Sequence, residues 1–326
     1  MFPPRPEGQG LHTANPMTDV LSVATYNLYQ GAGLIHAYCA ETPTALAEAL
    51  REAHACMVKT DFPGRAAAIA DQLAAHRPDM IGLQEVARWQ NGAQEHDFLD
   101  ILLVELARAG LPYRAVATVT TSTTAVGTGE EAVGMADRVA LLVQADLPAE
   151  RLSVGAAGEQ IYTARIELPG PSGEGTAKLR GWAWADVEAG GRPLRIVTTH
   201  LEAFEADVRL AQTRELLDAL DARGLPALVL GDFNTSPDDV TYALFRERGF
   251  QDAWTDARGD ADGHTALRSA TLDDVAELDR RWDYVLHRAP GLTTASATLA
   301  GADAESRPPS GLWASDHAGV VATFGG

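Results

Sequence analysis

Cysteine is nearly absent from the sequence, which contains only Cys39 and Cys56 among its 326 residues. Neither belongs to a CxxC pair, so a structural zinc site with the usual thiolate spacing is excluded. Two cysteines also do not form the disulfide framework that small secreted domains use. A chain of this length can instead bury a sizeable hydrophobic core, and we expect a reduced protein.

Long hydrophobic runs are lacking as well, and no apolar stretch approaches the length of a membrane span. The first residues, MFPPRPEGQGLHTANP, lack the basic start and apolar core of a secretory signal. We therefore expect a cytoplasmic protein, or a secreted one if a leader has been removed. Residues 1–18 are predicted to form a disordered tail, with Met1 or Met17 as the true start.

Positive charge is scarce, because 26 Lys and Arg residues oppose 45 Asp and Glu residues and give a formal net charge of −19. A protein that binds nucleic acid along its backbone needs clustered cations to displace counterions. Extended nucleic-acid binding is therefore disfavoured, although a local basic patch is compatible with this charge, and anionic membrane surfaces are disfavoured by the same repulsion. We expect a monomer.

The sequence does contain short apolar strands that carry a polar residue at one end. The run Ala227–Leu230 predicts a buried strand, which leads to Asp232 and Asn234. Alternate residues of an extended chain point the same way, so Asp232 and Asn234 are expected on one side and Phe233 in the core. Taken alone, an Asp and an Asn after a strand more often form a turn than a site.

The same pattern recurs in five further segments. They are the strands predicted at Val20–Asn27, Asp79–Val86, Leu194–Thr199, Trp282–Leu286 and Gly319–Phe324, which place Asn27, Glu85, His200, Asp283, and Asp316 with His317 at or beside a strand end. These side chains, together with Asp232 and Asn234, supply hard oxygen ligands and two imidazoles but no thiolate. Such a set suits Mg²⁺ or Mn²⁺.

The intervening segments give helices and two other features. Helices are predicted at Thr42–Lys59, Gly64–His76, Asp97–Ala109 and Phe204–Arg223. A further helix is predicted to start with Ser236 as N-cap and Pro237 as its first residue. Thr121–Asp137, rich in Gly, Thr and Glu, is predicted to be a long loop, and Ile161–Leu168 with Leu179–Val187 a hairpin.

Six short blocks occur in a specific order: TYN, LQEV, THLE, GDFN, WDYVL and SDH. In these blocks, from about Val20 to Phe324, the chain resembles the endonuclease/exonuclease/phosphatase superfamily. That superfamily has the deoxyribonuclease-I-like fold and includes neutral sphingomyelinases and inositol-polyphosphate 5-phosphatases. The resemblance implies an α/β (α+β) fold, a four-layer α-β-β-α sandwich of two packed, mostly antiparallel sheets flanked by helices. No linker divides the chain, so residues 19–326 are expected to form one catalytic domain with a helical insertion near 34–62.

The resemblance also implies a ligand set for the divalent ion. Glu85 would bind Mg²⁺ or Mn²⁺ directly, and Asn27 and Asp316 would be further ligands or partners of the ligands. Asp232 and Asn234 would lie across the scissile phosphate, where Asn234 holds a phosphate oxygen or a second ion. The implied metal-binding residues are therefore Asn27, Glu85, Asp232, Asn234 and Asp316.

The implied catalytic residues are His200, Asp232, Asn234, Asp283 and His317. Asp232 would orient or deprotonate the attacking water, and His317 would face the phosphate with its tautomer fixed by Asp283. His200 would donate a hydrogen bond to a phosphate oxygen. The sequence leaves both Asp232 and His317 as possible general bases.

These observations predict a divalent-metal-dependent phosphoesterase that hydrolyses a phosphodiester or phosphomonoester, with a small molecule or lipid headgroup as substrate. No basic or aromatic residues match those by which nucleolytic members grip DNA, so an endonuclease or exonuclease acting on DNA or RNA is the alternative. A catalytically silent scaffold is an alternative of another class. Such proteins usually lose the site residues, whereas Glu85, Asp232 and His317 are all present here.

Overall fold

The computed structural model describes residues 19–168, 176–274 and 277–326. The tail predicted at residues 1–18 and the turn of the predicted hairpin at residues 169–175 therefore lie outside the described residues. Among the described residues, no helix is both long and apolar enough to cross a membrane.

The described residues form sixteen strands and seven helices. The strands are β1 (Asp19–Asn27), β2 (Met80–Gln84), β3 (Arg88–Asn91), β4 (Gln94–Asp97), β5 (Tyr113–Val126), β6 (Val133–Gln144), β7 (Leu152–Ile161), β8 (Ile166–Leu168), β9 (Thr176–Lys178), β10 (Gly181–Ala189), β11 (Arg192–His200), β12 (Ala227–Asp232), β13 (Gln251–Asp252), β14 (Asp283–Arg288), β15 (Thr293–Ala300) and β16 (Gly319–Gly325). The helices are α1 (Ile35–Tyr38), α2 (Pro43–Lys59), α3 (Phe62–Ala74), α4 (Phe98–Arg108), α5 (Ala206–Arg223), α6 (Val240–Glu247) and α7 (Ala253–Arg258).

Two large sheets make up the centre of the fold. The first has the order β15-β16-β1-β2-β6-β3-β4, with β5 also paired to β6, and the second has the order β13-β14-β12-β11-β10-β7. The pairs β1/β2 and β11/β12 are parallel, and the other described pairs are antiparallel. The sheets approach closely at Gly82, where a Cβ atom would lie 2.5 Å from Thr198 Oγ1.

Apolar side chains fill three layers. Leu21 and Val23 of the first sheet pack with Ile196 and Leu228 of the second, so the central core lies between the sheets. A second core joins the outer face of the first sheet to α2, α3 and α4, and a third joins the second sheet to α5 and α6. This arrangement confirms the predicted four-layer α-β-β-α sandwich.

The register of the strands collects the polar strand ends at one edge. The parallel pairing of β1 with β2 sets Asn27 opposite Gln84, the residue before Glu85. In the second sheet, β11 and β12 pair His200 with Asp232, and β12 and β14 pair Asp232 with Asp283. One end of each sheet therefore carries the predicted polar residues.

Four predicted helices are confirmed, with ends that follow capping rules. Thr42 and Asp97 are the N-caps of α2 and α4, where their side chains accept backbone N–H hydrogen bonds. Gly224 ends α5 in the left-handed conformation that glycine adopts most readily. The predicted hairpin is also confirmed in outline, because β8 pairs with β9 and β7 with β10, although it extends back to Leu152.

Two predictions are wrong. Thr121–Asp137 is not a long loop, since β5 and β6 remain paired from Ser122 and Asp137 as far as Val126 and Val133. Threonine favours strands, and its abundance here reflects a half-exposed ribbon. The helix predicted from Ser236 instead begins at Val240, and its N-cap is Asp239, whose carboxylate accepts the Thr241 N–H at 2.7 Å.

Candidate active site

One buried amide joins the two sheets at the edge where the polar residues collect. Asn27 is fully buried. Its Nδ2 donates to Glu85 Oε1 at 3.2 Å and to Asp232 Oδ2 at 3.0 Å. Its Oδ1 accepts the Tyr29 N–H at 2.9 Å. Asn27 therefore fixes the position of a carboxylate of the first sheet relative to one of the second.

Glu85 is held in an uncommon backbone conformation. Its φ of +53° lies in the left-handed region, which costs a non-glycine residue roughly 1–3 kcal/mol. The Gln30 N–H donates to Glu85 Oε2 at 2.8 Å, and the Trp89 indole N–H in turn donates to the Gln30 carbonyl at 2.8 Å. The strained turn and these contacts fix the half-buried carboxylate of Glu85 beside Asn27.

Asp316 is the second carboxylate of this region. Ser315 Oγ lies 2.7 Å from the Asn27 carbonyl, to which it donates, and 3.3 Å from Asp316 Oδ1. Burial raises the pKa of Asp316 to about 6; His317 opposes the shift and the nearby Glu85 carboxylate adds to it. The ion pairs found among the described residues of the site involve Asp232 and Asp283, but neither Glu85 nor Asp316.

Asp232 lies on the other side of the Asn27 amide from Glu85, and its carboxylate accepts hydrogen bonds from two groups. The Asn234 N–H donates to Asp232 Oδ1 at 2.9 Å, while Oδ2 accepts from Asn27. Burial raises the pKa of Asp232 to about 7; His317 lowers it and Asp283 raises it further. The turn also depends on Gly231, where a Cβ atom would lie 2.1 Å from the Thr199 carbonyl oxygen.

Asn234 is the second predicted residue of this turn. Its φ of +49° is left-handed, a conformation that asparagine tolerates better than most residues. Its Nδ2 donates to the Leu201 carbonyl at 3.1 Å, which uses one of the two amide hydrogens. The second hydrogen remains for a ligand in the cleft.

His317 and Asp283 form a buried pair. His317 Nδ1 lies 2.8 Å from Asp283 Oδ2, and His317 Nε2 lies 3.8 Å from Asp232 Oδ2. Burial alone would lower the pKa of His317, but Asp283, Asp232 and Asp316 outweigh it and hold the pKa well above its usual value. A protonated His317 therefore supplies the positive charge between the two carboxylates of the second sheet.

The side chains of Asp232, Asp283 and His317 also offer ligand atoms within 4.8 Å of one another, as a metal site would. These three side chains are, however, already paired with one another. The His317 Nδ1 atom is engaged by Asp283, and the imidazolium already balances the carboxylates. Glu85 and Asp316 form no ion pair with a described residue, although the charges of His317 and Arg65 lower the pKa of Asp316.

His200 has a different electrostatic state from His317. Its Nε2 lies 3.5 Å from Asp232 Oδ2, and its Nδ1 is buried without a hydrogen-bond partner. Burial, followed by the charges of Arg180, Lys178 and His317, lowers the pKa of His200 well below its usual value. His200 is therefore a neutral imidazole at pH 7.

Two buried arginines that sequence reasoning missed hold the site loops. The first, Arg65, is fully buried. Its guanidinium donates to the carbonyls of Leu28 and Ala314 at 2.7 and 2.9 Å and to that of Tyr29 at 3.1 Å. It thereby joins the loop after β1 to the loop before β16. Arg65 lies on the same helical face as the buried Ile69, and this i, i+4 spacing is the signal that could have revealed it.

The second is Arg268, which secures the loop that carries His317. Its guanidinium donates to the carbonyls of Ser315 and His317 at 3.1 and 3.2 Å, and to two carbonyls at residues 301–302. It also stacks 3.7 Å from the centroid of the Trp313 ring. No local sequence pattern marks this residue, because its partners lie more than thirty positions away.

The structure brings every predicted site residue into one connected network. The chain of contacts runs through Asn27, Glu85, His200, Asp232, Asn234, Asp283, Asp316 and His317. One side of the arrangement has two carboxylates, Glu85 and Asp316, without an ion pair among the described residues. The other side has the His317–Asp283 pair next to Asp232.

Comparisons with known proteins concern the family and the fold of the chain. A family model described as "Endonuclease/Exonuclease/phosphatase family" matches residues 24–317. Among solved structures, an endonuclease/exonuclease/phosphatase family protein from Bacteroides thetaiotaomicron is 18% identical with a TM-score of 0.62, over 93% of this chain and 97% of that one. The mannosyl-6-phosphatase of the same organism is 19% identical with a TM-score of 0.60, over 93% and 99% of the two chains.

A third similar structure is the human Nocturnin catalytic domain, 19% identical with a TM-score of 0.57, over 94% of this chain and 93% of that one. At identities this low, the structural similarity establishes the fold alone. No curated protein sequence matches the chain.

Proposed function

We propose that this chain, which belongs to the endonuclease/exonuclease/phosphatase family, hydrolyses a phosphoester of a small molecule or lipid headgroup with the help of Mg²⁺ or Mn²⁺. Members of this family are hydrolases that act on phosphoester bonds. The observation that carries the proposal is the Asn27 bridge, which holds Glu85 and Asp232 to one buried amide. A phosphoryl group placed between them would have an ion on one side and a proton acceptor on the other.

Glu85 and Asp316 fit a divalent ion. Both are carboxylates, and Glu85 raises the pKa of Asp316, so a nearby cation would relieve their repulsion. Carboxylate oxygens are also the ligands that Mg²⁺ and Mn²⁺ prefer. When bound, the ion would neutralise charge on the phosphoryl and leaving oxygens. Asn27 orients Glu85 as a partner of the ligand, since its two amide hydrogens are donated to carboxylates.

We assign the general base to Asp232. His317 carries a proton at neutral pH, because three carboxylates hold its pKa well above the usual value, and a protonated imidazole cannot accept a second proton. Asp232 lies beside His317, and its carboxylate, with a pKa of about 7, can accept a proton. Asp232 would orient the attacking water and take its proton. General acid–base catalysis of this kind typically accelerates a reaction by roughly 10²–10⁴-fold.

The remaining donors would stabilise the charge that develops on the equatorial oxygens. His317 presents a charged N–H, with Asp283 fixing the ring through Nδ1. His200 is a neutral imidazole, and Asn234 has one amide hydrogen free of protein partners. These groups are fixed before the substrate binds, so little reorganisation accompanies the reaction.

The test is hydrolysis of bis-p-nitrophenyl phosphate, p-nitrophenyl phosphate, inositol phosphates, sphingomyelin, plasmid DNA and RNA with Mg²⁺, Mn²⁺ or EDTA. We expect metal-dependent hydrolysis of small esters. Higher activity on plasmid DNA or RNA than on every small ester would replace the proposed substrate with a nucleic acid. A folded protein that hydrolyses none of them, and that binds no Mn²⁺ in calorimetry, would favour the silent scaffold.

A further inference from the structure

Four buried charged side chains lie beside the candidate active site, and we call them the four-charge cluster. They are Asp137, Lys178, Arg180 and Glu202, with exposed fractions of 6%, 7%, 4% and 0%. Asp137 belongs to β6 and Lys178 ends β9, while Arg180 precedes β10 and Glu202 follows β11. Elements of both sheets and the β8/β9 hairpin therefore contribute to one small volume.

The ion pairs within the cluster are too long for hydrogen bonds. Lys178 Nζ lies 3.8 Å from Glu202 Oε1, Arg180 Nε lies 3.6 Å from Glu202 Oε2, and Arg180 Nη1 lies 3.7 Å from Asp137 Oδ2. Charged hydrogen bonds are normally 2.7–2.9 Å long. By contrast, the buried Arg281–Asp252 pair is closed at 2.9 Å. The ion pairs of the cluster therefore leave part of the hydrogen-bonding capacity of its members unused.

Unpartnered atoms support this interpretation. Arg180 Nε, Asp137 Oδ1 and Glu202 Oε2 are buried and have no hydrogen-bond partner, and neither does His200 Nδ1 next to them. Buried polar atoms without partners are costly, so each of them needs an explanation, such as a bound ligand or an ordered water. Both donors and acceptors are left unpaired, so the group that satisfies them must itself donate and accept.

The cluster adjoins the reacting groups. Glu202 lies two residues after His200, and the charges of Arg180 and Lys178 both lower the pKa of His200. Burial raises the pKa of Asp137 to about 6; Arg180 opposes the shift, and Glu85 adds to it. The cluster therefore lies within electrostatic reach of both Glu85 and His200, beside the expected position of the phosphoryl group.

Two aromatic rings border the cluster. Lys178 Nζ lies 4.4 Å from the centroid of the Phe204 ring and 5.4 Å from that of Tyr38 in α1. Phe204 is 61% exposed, which is unusual for a large apolar side chain. Aromatic walls around a few convergent polar groups are typical of small-ligand sites.

We propose that the four-charge cluster binds the hydroxyl groups of a polyol, either a sugar or a cyclitol, that carries the phosphoester cleaved at the neighbouring site. The inference rests on the proposed function and adds the substrate class. Each hydroxyl can donate to a carboxylate and accept from an ammonium or guanidinium, as the unpaired atoms require. The cluster has two cations and two anions, so its formal charge is zero. If the substrate carried a second phosphate group at the cluster, the carboxylates of Asp137 and Glu202 would repel it. The cluster therefore favours a neutral group.

The first experiment compares kcat/KM for mannose 6-phosphate, myo-inositol 1-phosphate, phosphoethanolamine and fructose 1,6-bisphosphate with that for p-nitrophenyl phosphate. The variants are Lys178→Met and Glu202→Gln, which keep the side-chain size. Asp186→Asn is the control, because Asp186 forms a half-buried pair with Arg195 at 2.7 Å on the same sheet. We expect the polyol-to-aryl ratio of kcat/KM to fall about ten-fold in both variants and to stay constant in the control.

The mannose and inositol esters identify the source of the hydroxyl groups. A preference for phosphoethanolamine or for the bisphosphate over both polyol monophosphates would overturn the inference. Circular dichroism of each variant confirms that it is folded. If Lys178→Met does not fold, Glu202→Gln decides the outcome alone, since its amide oxygen can still accept the Phe204 N–H that Glu202 Oε1 accepts at 2.9 Å.

The second experiment does not depend on hydrolysis. Binding of free mannose and free myo-inositol to the full chain is measured by saturation-transfer NMR with EDTA present. Binding that Glu202→Gln weakens and Asp186→Asn preserves supports the inference. If neither polyol binds and no polyol ester is preferred, the inference fails, even where metal-dependent hydrolysis of p-nitrophenyl phosphate supports the proposed function. Polyol binding without hydrolysis of any ester would retain the subsite and refute the proposed function.

Discussion

The two sides of the candidate site differ in where their positive charge comes from. On the side of the first sheet, neither Glu85 nor Asp316 forms an ion pair among the described residues, although the charges of His317 and Arg65 lower the pKa of Asp316. On the side of the second sheet, His317 lies between Asp232 and Asp283 at 3.8 and 2.8 Å and carries the charge. On the function proposed above, a divalent cation would balance the first side, whereas His317 balances the second. The difference would then separate metal binding from proton transfer.

The largest expected effect follows from removing the acid–base pair. Asp232→Ala and His317→Ala should each lower kcat by roughly 10²-fold or more, because one removes the proton acceptor and the other a charged donor. The measurement is hydrolysis of bis-p-nitrophenyl phosphate with Mn²⁺, with Asp186→Ala as a control on the same sheet. Near-normal turnover in both folded variants would refute the assignment of the second side.

The next prediction tests the separation directly. Glu85→Gln should weaken Mn²⁺ binding roughly 10- to 100-fold, as loss of a ligand or its immediate partner does. Asp283→Asn should leave Mn²⁺ binding unchanged and lower kcat, because Asp283 contacts the His317 ring. Isothermal calorimetry of the full chain measures the affinities, and Glu95→Gln at the exposed Arg88 pair is the matched control. Equal effects of both variants on Mn²⁺ binding would show that the two sides are not separate.

A smaller effect is expected where the loop that joins the sides is loosened. Arg268 donates to four carbonyls, and lysine cannot reproduce this planar fork. Arg268→Lys should therefore lower kcat about ten-fold by displacing His317. Arg258→Lys is the control, since Arg258 donates to the Ala297 carbonyl at 2.7 Å and lies beside the ring of Trp254. A similar loss of kcat in both variants would indicate general destabilisation.

The sequence predicted which polar residues lie together at one end of the sheets better than it predicted the residues that hold them in place. Asn27, Glu85, Asp232 and the others follow apolar strands, whose period and length are local properties of the chain. Buried arginines such as Arg65 follow no local rule, because its partners at Leu28 and Ala314 are 37 and 249 positions away. Only the folded chain brings these carbonyls together.

Local composition also misled where tertiary pairing decided the structure. Threonine and glycine between residues 121 and 137 are common in loops, yet long-range pairing makes most of this segment a β-ribbon. Ser236 and Pro237 satisfy the rules for a helix start, but the turn that positions Asn234 extends further and Asp239 becomes the cap. The four-charge cluster was likewise missed, since Asp137 and Lys178 lie on separate strands.

The smallest expected effect is a pH dependence of stability on the metal side. Burial raises the pKa of Asp316 in the folded state to about 6, well above that of an aspartate in the unfolded chain. The folded state therefore binds this proton more tightly than the unfolded state, so its contribution to stability is full below about pH 4 and is lost as pH rises through 6. In EDTA the Tm should fall between pH 4.5 and 7, and Asp316→Asn should reduce that fall by roughly 2 °C or more.

Mn²⁺ should offset the loss at pH 7 in the wild-type chain, because a bound cation favours the ionised carboxylate. Differential scanning calorimetry measures both effects, with Asp303→Asn as an exposed control. An unchanged slope in Asp316→Asn would mean that the repulsion between Glu85 and Asp316 is already relieved without a metal, and would remove the electrostatic contrast between the two sides.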